Sequence, residues 1–230
     1  MSLLLSIDTS TRGCSVALHQ NDQLLVCYEL QTEKSSSGML TTLIQNAADH
    51  AGFTLTDMDA FAIAMGPGSY TGLRIAVSTA KGLCFALDKP LIAVNTLEAM
   101  TRQLNDFYPD HVLFCPMLDA RRMEVYCALF DKALNFVLPT QAKIITSDSF
   151  SEVLATHPVV FFGDGAEKCK TLFGANPNAV FPDTPVFPSA KTVGWQALRR
   201  FEHGQFEDLS SFEPYYLKDF MTTTPKKRAL

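Results

Sequence analysis

An apolar run from Asp59 to Met65 leads straight into Gly66-Pro67-Gly68-Ser69-Tyr70-Thr71-Gly72, and that loop opens onto a segment rich in Ala, Leu and Val that reaches Leu87. The run has no polar face to turn toward water, so it reads as a buried strand, the glycines as a sharp change of direction, and the long segment as a helix. Lys89-Pro90 stops that helix, because proline brings no N–H and clashes with the preceding turn. Leu91 to Val94 reads as a further strand, with Thr96 placed to cap the helix after it.

Upstream, residues 3–7 form an apolar strand broken by Asp8-Thr9-Ser10-Thr11-Arg12-Gly13. Apolar positions return at Val16 and Leu18, and Gln20-Asn21-Asp22 turns the chain into Leu24 to Leu30, which makes a three-stranded antiparallel meander. A serine cluster, Ser35-Ser36-Ser37, precedes Met39, Leu40, Leu43, Ile44, Ala47, Ala48 and Ala51, the three-four spacing of an amphipathic helix closed by Gly52. Three strands, helix, strand, helix, strand, helix: this α/β order looks like the ribonuclease H-like lobe of actin, sugar kinases and Hsp70, an analogy of fold that leaves function open.

The second half is less regular. Strands over His111–Leu118 and Met123–Phe130 flank Asp119-Ala120-Arg121-Arg122, a helix is expected from Ser147, and Val159–Phe162 reads as a strand. Pro177, Pro182, Pro185 and Pro188 make residues 174–188 a long ordered loop, after which Ser189 caps a helix bearing Val193, Ala197, Leu198 and Phe201 and closed by Gly204. A boundary near residue 106 divides a first lobe, 1–106, from an α/β second lobe, 107–230, whose last helix is expected to fold back on the first. No internal repeat is visible.

Apolar residues make up 47% of the 230 and charged residues 19%, enough for a sizeable core. No uncharged apolar run reaches the roughly 18 residues of a membrane-spanning helix, and Leu3-Leu4-Leu5 lacks the basic lead and cleavage site of a signal peptide. The chain is therefore expected in the cytoplasm. Its six cysteines form no CxxC and sit mostly in apolar runs, as core residues do in a reducing compartment. A net charge of −5 argues against a broad nucleic-acid surface; the one basic cluster, Lys226-Lys227-Arg228, belongs to the tail.

Two loops are candidate anion sites. Asp8, Thr9, Ser10 and Thr11 end the first strand, where backbone N–H groups and hydroxyls can meet a phosphate, or where they simply cap a tight turn. Gly66, Gly68, Ser69, Thr71 and Gly72 precede a helix N-terminus, which favours anions, and Arg74 lies one turn in. The same small residues equally let a helix pack close to a sheet or to another chain. The loop is neither a Walker A motif nor a nucleophile elbow. No two of the five histidines share a helix face at ligand spacing, and Asp8 stands alone among the strand-end acids a two-metal nuclease needs. Isolated histidines of this kind read as surface or hydrogen-bonded residues. Arg121 and Arg122 either present a guanidinium pair to phosphate or form a self-paired charged turn. The helix after Ser36 has no charge before Asp49, and that after Tyr70 has only Arg74 and Lys81 before Asp88. Helices so short of charge are buried in the core or against another subunit. The candidate contact residues are Met39, Leu40, Leu43, Ile44, Ala47, Tyr70, Leu73, Arg74, Ala76, Val77, Ala80 and Lys81.

Ile7-Asp8-Thr9-Ser10-Thr11 with Ser15-Val16-Ala17, then Gly66 through Ile75, then Ser78-Thr79-Ala80-Lys81-Gly82-Leu83, resemble the TsaB (YeaZ) family of bacterial tRNA threonylcarbamoyladenosine formation. Asp119-Ala120-Arg121, Glu124-Val125-Tyr126 and Pro214-Tyr215-Tyr216-Leu217-Lys218 fit its later landmarks, so the match runs nearly end to end. The resemblance implies a two-lobed actin-like (ASKHA) fold and a non-catalytic subunit that binds and activates the paralogous catalytic subunit TsaD. It also implies a partnership with the ATPase TsaE, a homodimer through the first lobe when the chain is alone, and tRNA engaged only through the complex. No cofactor is expected to be tightly bound, ATP or ADP being left to the complex. The rival is a nucleotide-binding phosphotransferase or ATPase built on Asp8 and the Gly66 loop. Two positions depart from the family pattern: Ser35-Ser36, where His-Ser is frequent, and Ala76, where glycine is.

Overall fold

The computed structural model describes residues 1–32 and 36–218. Strands β1 (Leu3–Asp8), β2 (Cys14–Gln20) and β3 (Gln23–Leu30) form the meander; then come α1 (Ser36–His50), β4 (Ala60–Gly66), α2 (Tyr70–Leu87), β5 (Leu91–Asn95) and α3 (Thr96–Thr101). The sheet runs β3-β2-β1-β4-β5, with β4 parallel to β1 and β5 parallel to β4. Two-residue periodicity on β1 separates its faces. Leu3, Leu5 and Ile7 join the core beneath α1 and α2, while Leu4 joins the core under the chain's last helix.

The second half repeats the plan. Strands β6 (Leu113–Asp119), β7 (Glu124–Phe130) and β8 (Phe136–Ile144) form a meander, followed by α4 (Ser151–Leu154), β9 (Val159–Phe162), α5 (Glu167–Phe173), β10 (Ala179–Val180) and α6 (Ala190–Glu202). Read from its free edge, this sheet runs β8-β7-β6-β9-β10, with β6, β9 and β10 parallel. The chain shows no repeat in its letters, yet both halves share one order and one set of strand directions. The result is a two-lobed, actin-like α/β protein.

The lobes exchange their third helices. Leu97 and Met100 of α3 pack with Phe114, Phe130, Val160 and Phe162 of the second sheet. Val193, Ala197 and Leu198 of α6 pack with Leu4, Ala62, Ile92 and Val94 of the first. Arg200 on α6 pairs with Glu98 on α3 at 2.6 Å, and Gln196 donates to the other Glu98 oxygen at 2.8 Å. Each sheet thus obtains one of its covers from the other half of the sequence.

Several local expectations are corrected. Asn95, not Thr96, caps α3, because its Oδ1 accepts from the N–H groups of Leu97 and Glu98 while Thr96 is already helical. The helix expected from Ser147 begins at Ser151: Thr146 donates from its backbone N–H to Ser149 Oγ at 2.9 Å, and this side-chain-bonded turn competes with helix. Strand β8 and helix α5 have no counterpart among the elements expected from the sequence. His19 is neither exposed nor hydrogen-bonded; its ring is fully buried and both nitrogens lack partners among the described residues. Ser189 does cap α6, accepting from the Lys191 N–H. Ser35, first of the expected α1 capping cluster and of the Ser35-Ser36 departure, and the Lys226–Arg228 cluster lie outside the described residues.

Candidate functional site

The two loops singled out in the sequence lie against each other at one end of the first sheet. Asp8, Thr9 and Ser10 are at most 3% exposed. Asp8 Oδ1 accepts from both the N–H (2.8 Å) and the hydroxyl (2.7 Å) of Ser10. The Ser10 carbonyl accepts from the Ser69 N–H at 2.6 Å, and Thr9 donates its hydroxyl to the Gly72 carbonyl at 2.7 Å. A Cβ at Gly68 would overlap the Ser10 backbone, and one at Gly72 the Thr9 carbonyl. The glycines therefore seat α2 backbone to backbone on the Asp8 turn. Ser69 caps α2 through the Gly72 N–H, Gly66 holds a φ of +118°, and the Gly66–Pro67 peptide is cis. Thr71 is exposed and Thr11 half-buried.

Burial drives the Asp8 carboxyl above its ordinary value, against the pull of the Ser10 bonds, and its Oδ2 has no hydrogen-bond partner among the described residues. Beyond the sheet lies the buried face beneath α6, where Ala190 donates its N–H to Ser15 Oγ at 2.8 Å and Ser189 bonds Glu29.

The outer faces of α1 and α2 form a second feature. Of the candidate contact residues, Leu40, Leu43, Ile44, Ala47, Leu73, Ala76, Val77 and Ala80 point into the chain's own core. Met39, Tyr70, Arg74 and Lys81 keep exposed or half-exposed surface. The outward stripe of α2 is instead Thr71, Arg74, Ile75, Ser78, Gly82 and Phe85, a helical spacing in which Arg74 is the only charge. Phe85 is 85% exposed, and a shallow groove of about 570 Å³ runs over Tyr70, Thr71, Arg74, Ile75, Ser78 and Thr79. Arg74 turns back on Tyr70, donating to its hydroxyl at 3.3 Å. The apolar stripe read in the sequence is what seats each helix on its own sheet. The signal for an outer contact was the lack of charge on the opposite stripe, which points to Ile75, Ser78 and Phe85.

The chain after α6 closes this region as a strap. Lys81 Nζ donates to the Phe212 carbonyl at 3.1 Å, Tyr215 donates its N–H to the Met65 carbonyl at 2.8 Å, and Tyr216 stacks on Tyr70 at 4.6 Å. Lys218 then pairs with Glu124 of β7, so the strap ends on the second lobe.

The repeated topology gives Asp8 a counterpart in Asp119 at the end of β6, whose Oδ1 accepts from the Arg121 N–H at 2.6 Å as Asp8 does from Ser10. Gly163 and Gly165 stand at the end of β9 as Gly66 and Gly68 stand at the end of β4, with Gly163 at a φ of +98°. Burial pushes Asp119 up, but bonds from Lys168 and the Arg121 N–H, with the charges of Lys168 and Arg12, outweigh it and hold the carboxyl below its usual range. Among the described residues no helix is long and apolar enough to cross a membrane.

Residues 30–219 match the family model described as TsaD, tRNA N6-adenosine threonylcarbamoyltransferase. The chain is 30% identical over 224 residues to the tRNA threonylcarbamoyladenosine biosynthesis protein TsaB of Escherichia coli, covering 94% of each. It is 33% identical over 165 residues to the protein of the same name from Bacillus subtilis, covering 70% of each. A solved structure of YeaZ from Pseudomonas aeruginosa superposes with a TM-score of 0.75 at 25% identity, over 93% of this chain and all of that one.

Proposed function

Since this chain belongs to the tRNA N6-adenosine threonylcarbamoyltransferase family, and within it to the TsaB (YeaZ) proteins, we propose that it serves threonylcarbamoyladenosine formation in the cytoplasm as a non-catalytic subunit. It docks the catalytic subunit TsaD through the outer face of α2 and the adjoining face of α1, ordering that enzyme for transfer to adenosine in ANN-decoding tRNA. The observation that carries this is the α2 stripe ending in Phe85: a nearly bare aromatic ring beside an almost uncharged helix face is the composition of an interface core. In the absence of TsaD the same face pairs with a second copy.

TsaE and its nucleotide act on the assembled pair. ATP or ADP is held outside the Asp8 turn, because the Ser10 N–H and hydroxyl, the Thr9 hydroxyl and the Ser69 N–H are already bonded within the chain. A phosphate entering there has to break those bonds first, which argues against the phosphotransferase alternative. The test is size-exclusion chromatography of the purified chain mixed with TsaD, with and without ATP. Co-elution is expected; separate elution at micromolar concentrations would sink the proposal.

A further inference from the structure

The hairpin between β6 and β7 carries two arginines that the docking reading does not use. Arg121 and Arg122 are both exposed, and both backbones lie in the left-handed region, with φ of 72° and 49°. Glycine or asparagine occupies that region at much lower cost than arginine. A self-paired charged turn would offer a bland account, and the structure removes it. Asp119 pairs with Lys168 at 2.6 Å and Glu124 with Lys218, so both neighbouring carboxylates are taken by lysines from elsewhere. The side chains of Arg121 and Arg122 have no hydrogen bond or ion pair among the described residues. Two consecutive arginines with uncommitted guanidinium groups are therefore carried on a turn whose backbone is braced by the Asp119 carboxylate and by the Ala120 and Glu124 N–H bonds. They do so on a chain of net charge −5, where such an island is local rather than part of a general basic surface.

We propose that the Arg121–Arg122 hairpin tip is a direct contact of this chain with the phosphate backbone of an RNA, both guanidinium groups engaging phosphate oxygens. Arginine is suited to this because its planar fork offers paired donors to phosphate and sheds water more readily than lysine. The assignment of the RNA as tRNA rests on the proposed role in tRNA modification, and binding by this chain alone departs from the expectation that tRNA is engaged only through the complex. The base of the hairpin is joined to the start of α2 by the strap, since Lys218 pairs with Glu124 and Tyr216 stacks on Tyr70, so RNA binding and TsaD docking have to be scored separately.

The experiment titrates a labelled, unmodified transcript of an ANN-decoding tRNA with the full chain at salt from 50 to 200 mM, for wild type, for Arg121→Gly with Arg122→Asn, and for the double lysine variant. Removing one phosphate contact flattens the log–log salt slope by roughly 0.7–0.9, so the Gly/Asn pair is expected to flatten it by about 1.5 and to weaken binding about ten-fold at the low-salt end. The lysine pair keeps most of the slope, since it keeps the charges. Because glycine and asparagine suit the left-handed backbone, the Gly/Asn variant melts no lower than wild type, which separates weakened binding from a weakened fold. Wild type that fails to bind at 50 mM salt, or a Gly/Asn variant with unchanged affinity and slope, overturns the inference. Co-elution with TsaD is scored on the same proteins: a variant that co-elutes but binds RNA more weakly supports the RNA contact, while wild type that binds RNA but elutes apart from TsaD refutes the docking reading alone.

Discussion

At the scale of single residues, His19 shows how a buried titratable group sets acid stability. Its ring lies under α6 in edge contact with Trp195, and a Cβ at Gly194 would overlap it, so the helix rests directly on the imidazole. Burial, reinforced by the charge of Lys191, lowers its pKa from 6.5 to about 4. The unfolded chain therefore binds the extra proton throughout that interval. The stability held by the neutral ring is complete above pH 6.5 and drains as pH falls toward 4, by about 3 kcal/mol in total. Urea unfolding between pH 7.5 and pH 4.5 should show this slope, and His19→Leu should lose it; equal slopes in both proteins would refute the attribution. Nothing in the sequence marks His19, because one histidine in an apolar strand has the same letters whether it faces water or a helix. Asp8 was legible as a strand-end turn, but that its turn would be filled by Gly68 and Gly72 was not, since 63 positions separate Thr9 from Gly72.

At the scale of elements, the glycines of α2 divide into two kinds. Gly72 sits against the Thr9 carbonyl, whereas Gly82 has open space around it. Gly72→Ala should cost about 1–3 kcal/mol by forcing α2 off the Asp8 turn. Gly82→Ala should stabilise by about 1 kcal/mol, the helix-propensity difference alone. Denaturant midpoints for the two variants check this, and shifts of the same sign would contradict it. The first lobe was readable because β1, β2, β4 and β5 are buried and α1 and α2 are long enough to show a period. The second resisted because β8 is an edge strand whose Phe136, Val137 and Leu138 stay exposed, so no alternation of apolar and polar residues marks it, and whose Pro139 breaks the pattern, and because α5, at seven residues, is too short for periodicity to register. The same limit explains the contact residues. Amphipathic spacing reports which side of α1 and α2 meets the sheet, so the inward Leu40, Leu43 and Ala76 were as conspicuous as the outward Phe85 was silent.

At the scale of the molecule, two halves of equal topology have been put to unequal use. The segment between β4 and β5 is an 18-residue helix with a bare outer stripe, while the corresponding segment between β9 and β10 is the seven-residue α5. Phe85→Glu should leave the melting temperature within a degree or two of wild type, because the ring is already in water, yet reduce association with TsaD at least ten-fold. Chromatography at graded concentrations reads this directly, and undiminished co-elution would remove Phe85 from the contact. The exchanged helices α3 and α6 and the strap from Tyr215 to Lys218 hold the lobes as one body, so a partner on α2 meets a surface already tied to the second sheet. A face that pairs with its own kind closes on itself and leaves nothing for a third copy; because only the first half has a long bare helix among the described residues, the pairing proposed for α2 would end at two copies and would not grow into a fibre.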